Sequence, residues 1–148
     1  MTGKTYTRVD HHRHPGMIDH IGFPVADFER SKAFYQTVLA PLGYALVMEA
    51  SVEQTGAGAH AGFGSEHKPS FWISSGQPLT GTLHVCLQAR SRADVDAFHA
   101  AALAAGASDN GSPGLRPHYH PNYYGAFVLD PDGHNIEAVC HLPQEASH

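Results

Sequence analysis

The sequence predicts an α+β fold of two paired βαβββ modules, their sheets forming a half-closed mixed β-barrel with the helices outside. Three observations carry this. A strand–cap–helix pattern occurs twice at a shift of 64 residues, superimposing His20 on His84, Phe34 on Phe98 and Leu39 on Leu103. An internal repeat fixes architecture more firmly than any single motif. The chain also closes on Asp130-Pro131-Asp132-Gly133 between two apolar runs. Pro suits the first central position of a turn and Gly supplies a positive φ, so this stretch reads as a β-hairpin. Finally, four strands with one helix cannot enclose a site alone, whereas two such sheets with facing concave surfaces can.

Residues 1–16 carry His11, His12 and His14 without apolar periodicity and are expected to be a flexible leader. The ordered domain is expected over 17–141, with module one over 17–75, module two over 82–141 and a tail over 142–148. Ile18–Val25 reads as a strand with His20 in its middle. Asp27 looks like the N-cap of a helix running to about Leu39, with Phe34, Val38 and Leu42 on one face and Gly43 closing it. Tyr44–Glu49 is a second strand, the glycine-rich residues 56–64 a loop leading into a third, Phe71–Ser74 a fourth, and Gly76–Gly81 a linker. The pattern then restarts. Thr82–Ala89 is a strand holding His84, and Ser91 caps a helix with Asp94 at the capping-box position. That helix turns Val95, Phe98 and Ala102 inward and ends near Gly106. A Pro/Gly/His loop, 111–122, precedes the hairpin strands Tyr123–Leu129 and Asn135–Cys140.

At 148 residues the chain is one domain, or two small modules sharing a core. A formal charge of −5 with no basic cluster argues against nucleic acid. No apolar run approaches the roughly 20 residues that span a bilayer, and the polar N-terminus does not read as a signal peptide. Cys86 and Cys140 each sit alone inside an expected strand and read as reduced core residues of a cytoplasmic protein.

Strand alternation puts Glu137 on one face with Asn135 and Val139. A carboxylate amid apolar strand residues either faces water on an edge strand or has a partner, because burial unpaired costs several kcal/mol, order of magnitude. His20 and His84, equivalent under the repeat, are the natural co-ligands. Two histidines and a carboxylate on convergent strands suit one divalent metal with open positions, Zn, Ni, Fe or Mn. Each histidine alone would more simply be a packed or surface residue. A hairpin register placing Ala126 opposite Glu137 and Tyr124 opposite Val139 makes Tyr124 a candidate donor to a bound oxyanion. The stretch Arg116-Pro117-His118-Tyr119-His120-Pro121-Asn122-Tyr123-Tyr124 reads either as a site mouth or as a Pro-stiffened rim. As a mouth it offers His118 or His120 as acid or base, with Arg116 and Tyr123 for substrate binding. Trp72 is either core or pocket lining, and Cys86 shares the His84 face.

Asp19-His20-Ile21 with Asp27 and Ala33-Phe34-Tyr35, then Leu83-His84-Val85, then Asp130-Pro131-Asp132-Gly133 through Ile136-Glu137 resemble the vicinal oxygen chelate superfamily. That superfamily comprises glyoxalase I, fosfomycin-resistance enzymes, extradiol dioxygenases, methylmalonyl-CoA epimerase and the bleomycin-binding proteins. The resemblance covers about residues 17–141 and implies a metal held by His20, His84 and Glu137 that chelates a small substrate through adjacent oxygens. The fourth protein ligand of glyoxalase I would fall at Ile73, or at Trp72 with a one-residue slip, and neither is a ligand. Glu49 and His60 are substitutes that would have to reach inward. The reading is therefore a metal-dependent lyase, isomerase or dioxygenase, with a non-catalytic small-molecule-binding protein of the same fold as the alternative. Modules of this kind pair within one chain or between two, and a homodimer is expected.

Overall fold

The computed structural model describes residues 17–144, so the expected leader, with its three histidines, and the end of the tail lie outside the described residues. Strand β1 (Ile21–Val25) leads to helix α1 (Phe28–Leu39), then β2 (Ala45–Ala50), a one-turn helix α2 (Val52–Thr55), β3 (His60–Ser65) and β4 (Lys68–Ser75). The order repeats as β5 (His84–Gln88), helix α3 (Arg92–Ala104), β6 (Ser108–Leu115), β7 (Tyr124–Leu129) and β8 (Asn135–Cys140). The strands form two four-stranded sheets, ordered β1-β4-β3-β2 and β5-β8-β7-β6. The first strand of each runs parallel to the last, and the other pairs are antiparallel. This is the expected α+β architecture of two βαβββ halves, with the sheets half-closed rather than a sealed barrel.

Local chemistry explains the helices. The Asp27 side chain accepts from Arg30 N–H at 3.1 Å, and Ser91 Oγ accepts from Asp94 N–H at 3.1 Å, each satisfying an orphan donor of a first turn. A 3-10 turn over Ala40–Leu42 ends α1, and Gly43 leaves it at φ 87. Ser51 and Gln54 form a reciprocal capping box on α2, an element the sequence reading missed.

Each sheet turns one face to the helices and leaves the other open. Phe23, Val25, Ala61, Phe63, Phe71 and Ile73 bury module one's helix side, and Val85, Ala126, Val128, Ile136 and Ala138 bury module two's. Both join one cluster with Phe34, Val38, Val95 and Phe98. Polar contacts fasten the halves together. Tyr35 Oη donates to Asp130 Oδ2 at 2.5 Å, Tyr44 Oη to the Gln88 carbonyl at 2.7 Å, and Ala26 N–H to Asp132 Oδ2 at 3.1 Å. Burial holds the Tyr35 phenol well above its ordinary pKa, with the Asp130 carboxylate adding to the effect.

Several expectations change. Strand β1 begins at Ile21, so His20 precedes it rather than sitting in its middle. The glycine-rich stretch contributes β3 itself. Residues 108–115, read partly as loop, form β6, where Pro113 is tolerated because β6 is an edge strand with irregular register. His134, although it lies in the turn between β7 and β8, is 1% exposed. Leu103 is 41% exposed although its repeat counterpart Leu39 is buried.

Candidate metal and substrate site

Cys86 pairs with Glu137 and Phe127 pairs with Glu137 from the other side, so these three share the open face of module two with His84, Gln88 and Gly125. Glu137 is nevertheless 1% exposed. Its Oε1 lies 2.8 Å from His84 Nε2, and Tyr123 Oη donates to its Oε2. Gly125 makes the arrangement possible, because a Cβ there would stand 3.1 Å from Tyr123 Cε1 and 3.2 Å from Glu137 Oε2. Among the described residues, His84 is the one basic side chain paired with this carboxylate. Two neighbours feel its charge. Burial and then Glu137 push the Cys86 thiol up to about 12, and burial together with the hydrogen bond to Glu137 lifts the Tyr123 phenol far above its ordinary value.

Aromatic groups wall this cluster. The Phe127 ring lies 6.2 Å from that of His84, and the Arg116 guanidinium sits 5.5 Å over Phe127 while donating to the carbonyls of Ser112 and Gly114. Tyr119 packs on Tyr123 at 5.1 Å, His118 on Tyr119 at 4.2 Å, and His141 on both Tyr123 and His120. Arg116, His118, His120 and Tyr123 thus belong to one rim.

Tyr124 does not. The loop after β7 spans five residues, 130–134, because Leu129 pairs with Asn135. The hairpin register therefore differs by one from that expected, and such a slip sends side chains to the opposite face. Tyr124 lies on the helix side, donating to Asp96 at 2.5 Å beneath Arg92. Burial and that bond push its phenol up to about 12.

On module one the equivalent of Glu137 is Trp72, since Gly22 pairs with Trp72 as Cys86 pairs with Glu137. The indole lies across glycine, and a Cβ on Gly62 would come within 2.9 Å of it. His60 shares that face and bonds the Gly58 carbonyl at 3.0 Å, while Glu49 is taken by Lys32 at 2.7 Å. His20 is exposed, 2.6 Å from Asp19, whose carboxyl is held low by His20 first and Lys68 second. Asp19, His84 and Cys86 border one cleft of about 530 Å³. As placed, no three His, Cys, Asp or Glu side chains among the described residues could hold a metal ion. The pair His84–Glu137 nonetheless fits one by donor chemistry, as an imidazole and a buried carboxylate converging within hydrogen-bond distance.

Sequence reasoning missed Phe127 and Gly125, which the corrected register would have identified, and His134, whose burial no local pattern signals. Among the described residues no helix is long and apolar enough to cross a membrane.

The profile of the Glyoxalase/Bleomycin resistance protein/Dioxygenase superfamily matches residues 17–138. A glyoxalase/bleomycin resistance protein from Albidiferax ferrireducens T118 is similar at 31% identity and TM-score 0.67, over 84% of this chain and 98% of that one. The manganese- and sulfate-bound fosfomycin resistance protein FosX from Listeria monocytogenes shares the fold at 17% identity and TM-score 0.61, over 86% and 93%. A glyoxalase I mutant from Zea mays does so at 23% identity and TM-score 0.62, over 82% of this chain and 46% of the longer plant chain. No curated protein matches. With the profile covering most of the chain, and the two βαβββ halves in place, the protein belongs to the Glyoxalase/Bleomycin resistance protein/Dioxygenase superfamily.

Proposed function

We propose that this chain is a metal-dependent enzyme of the glyoxalase/dioxygenase type acting on a small oxygen-rich substrate, with one divalent ion, Zn, Ni, Fe or Mn, held by His20, His84 and Glu137. The observation that carries it is Glu137, 1% exposed on the sheet face away from the helices, with a histidine on one oxygen and a phenol on the other. A bound divalent ion would supply Lewis acidity to substrate oxygens. Tyr123 would hold the second Glu137 oxygen, as outer partners of metal ligands do. Arg116 would meet an anionic substrate group, and His118 or His120 would move a proton at the rim. The helix-side position of Tyr124 supports a structural role in place of the catalytic one. Because His20, His84 and Glu137 do not form a three-donor group within the described residues of one chain, we further propose that the modules pair across a homodimer to complete the ligand set. The second reading, a non-catalytic small-molecule binder, is favoured by the indole that stands where a fourth ligand would.

The test is metal content of the full chain beside His84→Ala. The leader histidines are common to both, so the difference isolates the site. About one equivalent lost in the variant supports the enzyme reading, whereas equal content after reconstitution sinks it and leaves the binder.

A further inference from the structure

Leu83, the residue before His84, is held at both of its backbone groups by consecutive residues, the last of the β7–β8 loop and the first of β8. Its N–H donates to His134 Nδ1 at 3.0 Å, and its carbonyl accepts from Asn135 N–H at 2.8 Å. An N–H can only donate, so Nδ1 carries the lone pair and the ring proton resides on Nε2. That Nε2 is buried without a hydrogen-bond partner among the described residues, in a residue 1% exposed. The imidazole packs at 5.2 Å and 77° on Phe23 of β1, three residues beyond His20. His134 is itself fixed, its N–H donating at 2.8 Å to Asp130 Oδ1 while Tyr35 holds Oδ2. One ring thus touches the residue before His84 and the strand that follows His20. A buried unpaired N–H costs about 1–3 kcal/mol. An apolar side chain would avoid that cost but leave the Leu83 N–H without its acceptor.

We propose that His134 is a positioning residue which, through Leu83, sets where the His84 imidazole stands relative to Glu137. This rests on the metal-centre reading above. The needed feature is the acceptor, and Asn can place its Oδ1 where Nδ1 lies, while Leu fills the space without one.

The experiment compares wild type, His134→Leu and His134→Asn as full chains. The metal-free readout is the ¹⁵N signals of the His84 ring, assigned by their loss in His84→Ala. The second readout is Co²⁺ affinity from its absorption bands. In the Leu variant the His84 signals move and Co²⁺ affinity falls about 10–100-fold, the range for outer-shell changes, and the Asn variant restores both. A folded Leu variant with wild-type signals and affinity overturns the proposal, as does an Asn variant that behaves like Leu. Should the Leu variant fail to fold, displaced His84 signals in a folded Asn variant overturn it, and wild-type signals there support it. A wild type that takes up no Co²⁺ instead overturns the metal reading, and the His84 signals still decide the positioning role.

Discussion

Tyr123 and Glu137 form the contact on which the site turns, and removing one hydroxyl tests it. Tyr123→Phe leaves a buried carboxylate oxygen without its donor, which costs about 1–3 kcal/mol, read as a lower melting temperature of the metal-free protein. Tyr35→Phe should cost a similar amount by depriving Asp130 Oδ2 of its donor. It should also change the alkaline limb. The Tyr35 pKa is raised in the fold, so its contribution is complete below about pH 10, the unfolded phenol value, and is lost as pH rises beyond it. The variant's stability should fall less steeply above pH 10 in urea unfolding. Glu137 was half legible: alternation singled it out among Ile136, Ala138 and Val139 but left a wet edge and a buried partner both open, and its burial settles the choice. The face of Tyr124 was not legible. Treating Asp130–Gly133 as the whole turn omits His134, and one residue of loop length reverses every side chain of β7.

At the scale of elements, strands with branched apolar residues and the two long capped helices declared themselves, while α2, β3 and β6 did not. His60–Ser65 owes its strand to partners on both sides, β2 and β4, rather than to propensity. Strand β6 is held partly by side chains. His99 on α3 lies 2.9 Å from Asp109 Oδ1, which also receives Gly111 N–H at 2.9 Å. His99 first and the Gly111 amide second lower the Asp109 pKa. Stability from a lowered carboxylate is present above its unfolded value near 3.9 and is lost as pH falls through the folded one. Acid unfolding between pH 4 and 2 should therefore be shallower in Asp109→Asn than in wild type.

For the whole molecule, the repeat was legible because His20 and His84 announce it, and with it the two-sheet architecture. How the halves meet was not, because the fastening contacts, Tyr35 to Asp130 and Phe23 to His134, join residues with no shared local pattern. The proposed homodimer predicts a dimer mass at high micromolar concentration in light scattering, and a monomer there contradicts it. The sole tryptophan, Trp72, lies on an open face, so its emission should shift to the blue as protein concentration rises through the association range. A concentration-independent spectrum counts against closure over that face.

The one-residue offset that seats Trp72 where its sister module seats Glu137 makes the duplicated halves chemically unlike. One presents the flat, largely apolar face of an indole, the other a carboxylate with an imidazole and a phenol. A cavity enclosed by both has a built-in polarity, so a guest with one greasy and one oxygen-bearing end would enter in a single sense. Trp72→Glu would erase that asymmetry and let such a guest bind either way round.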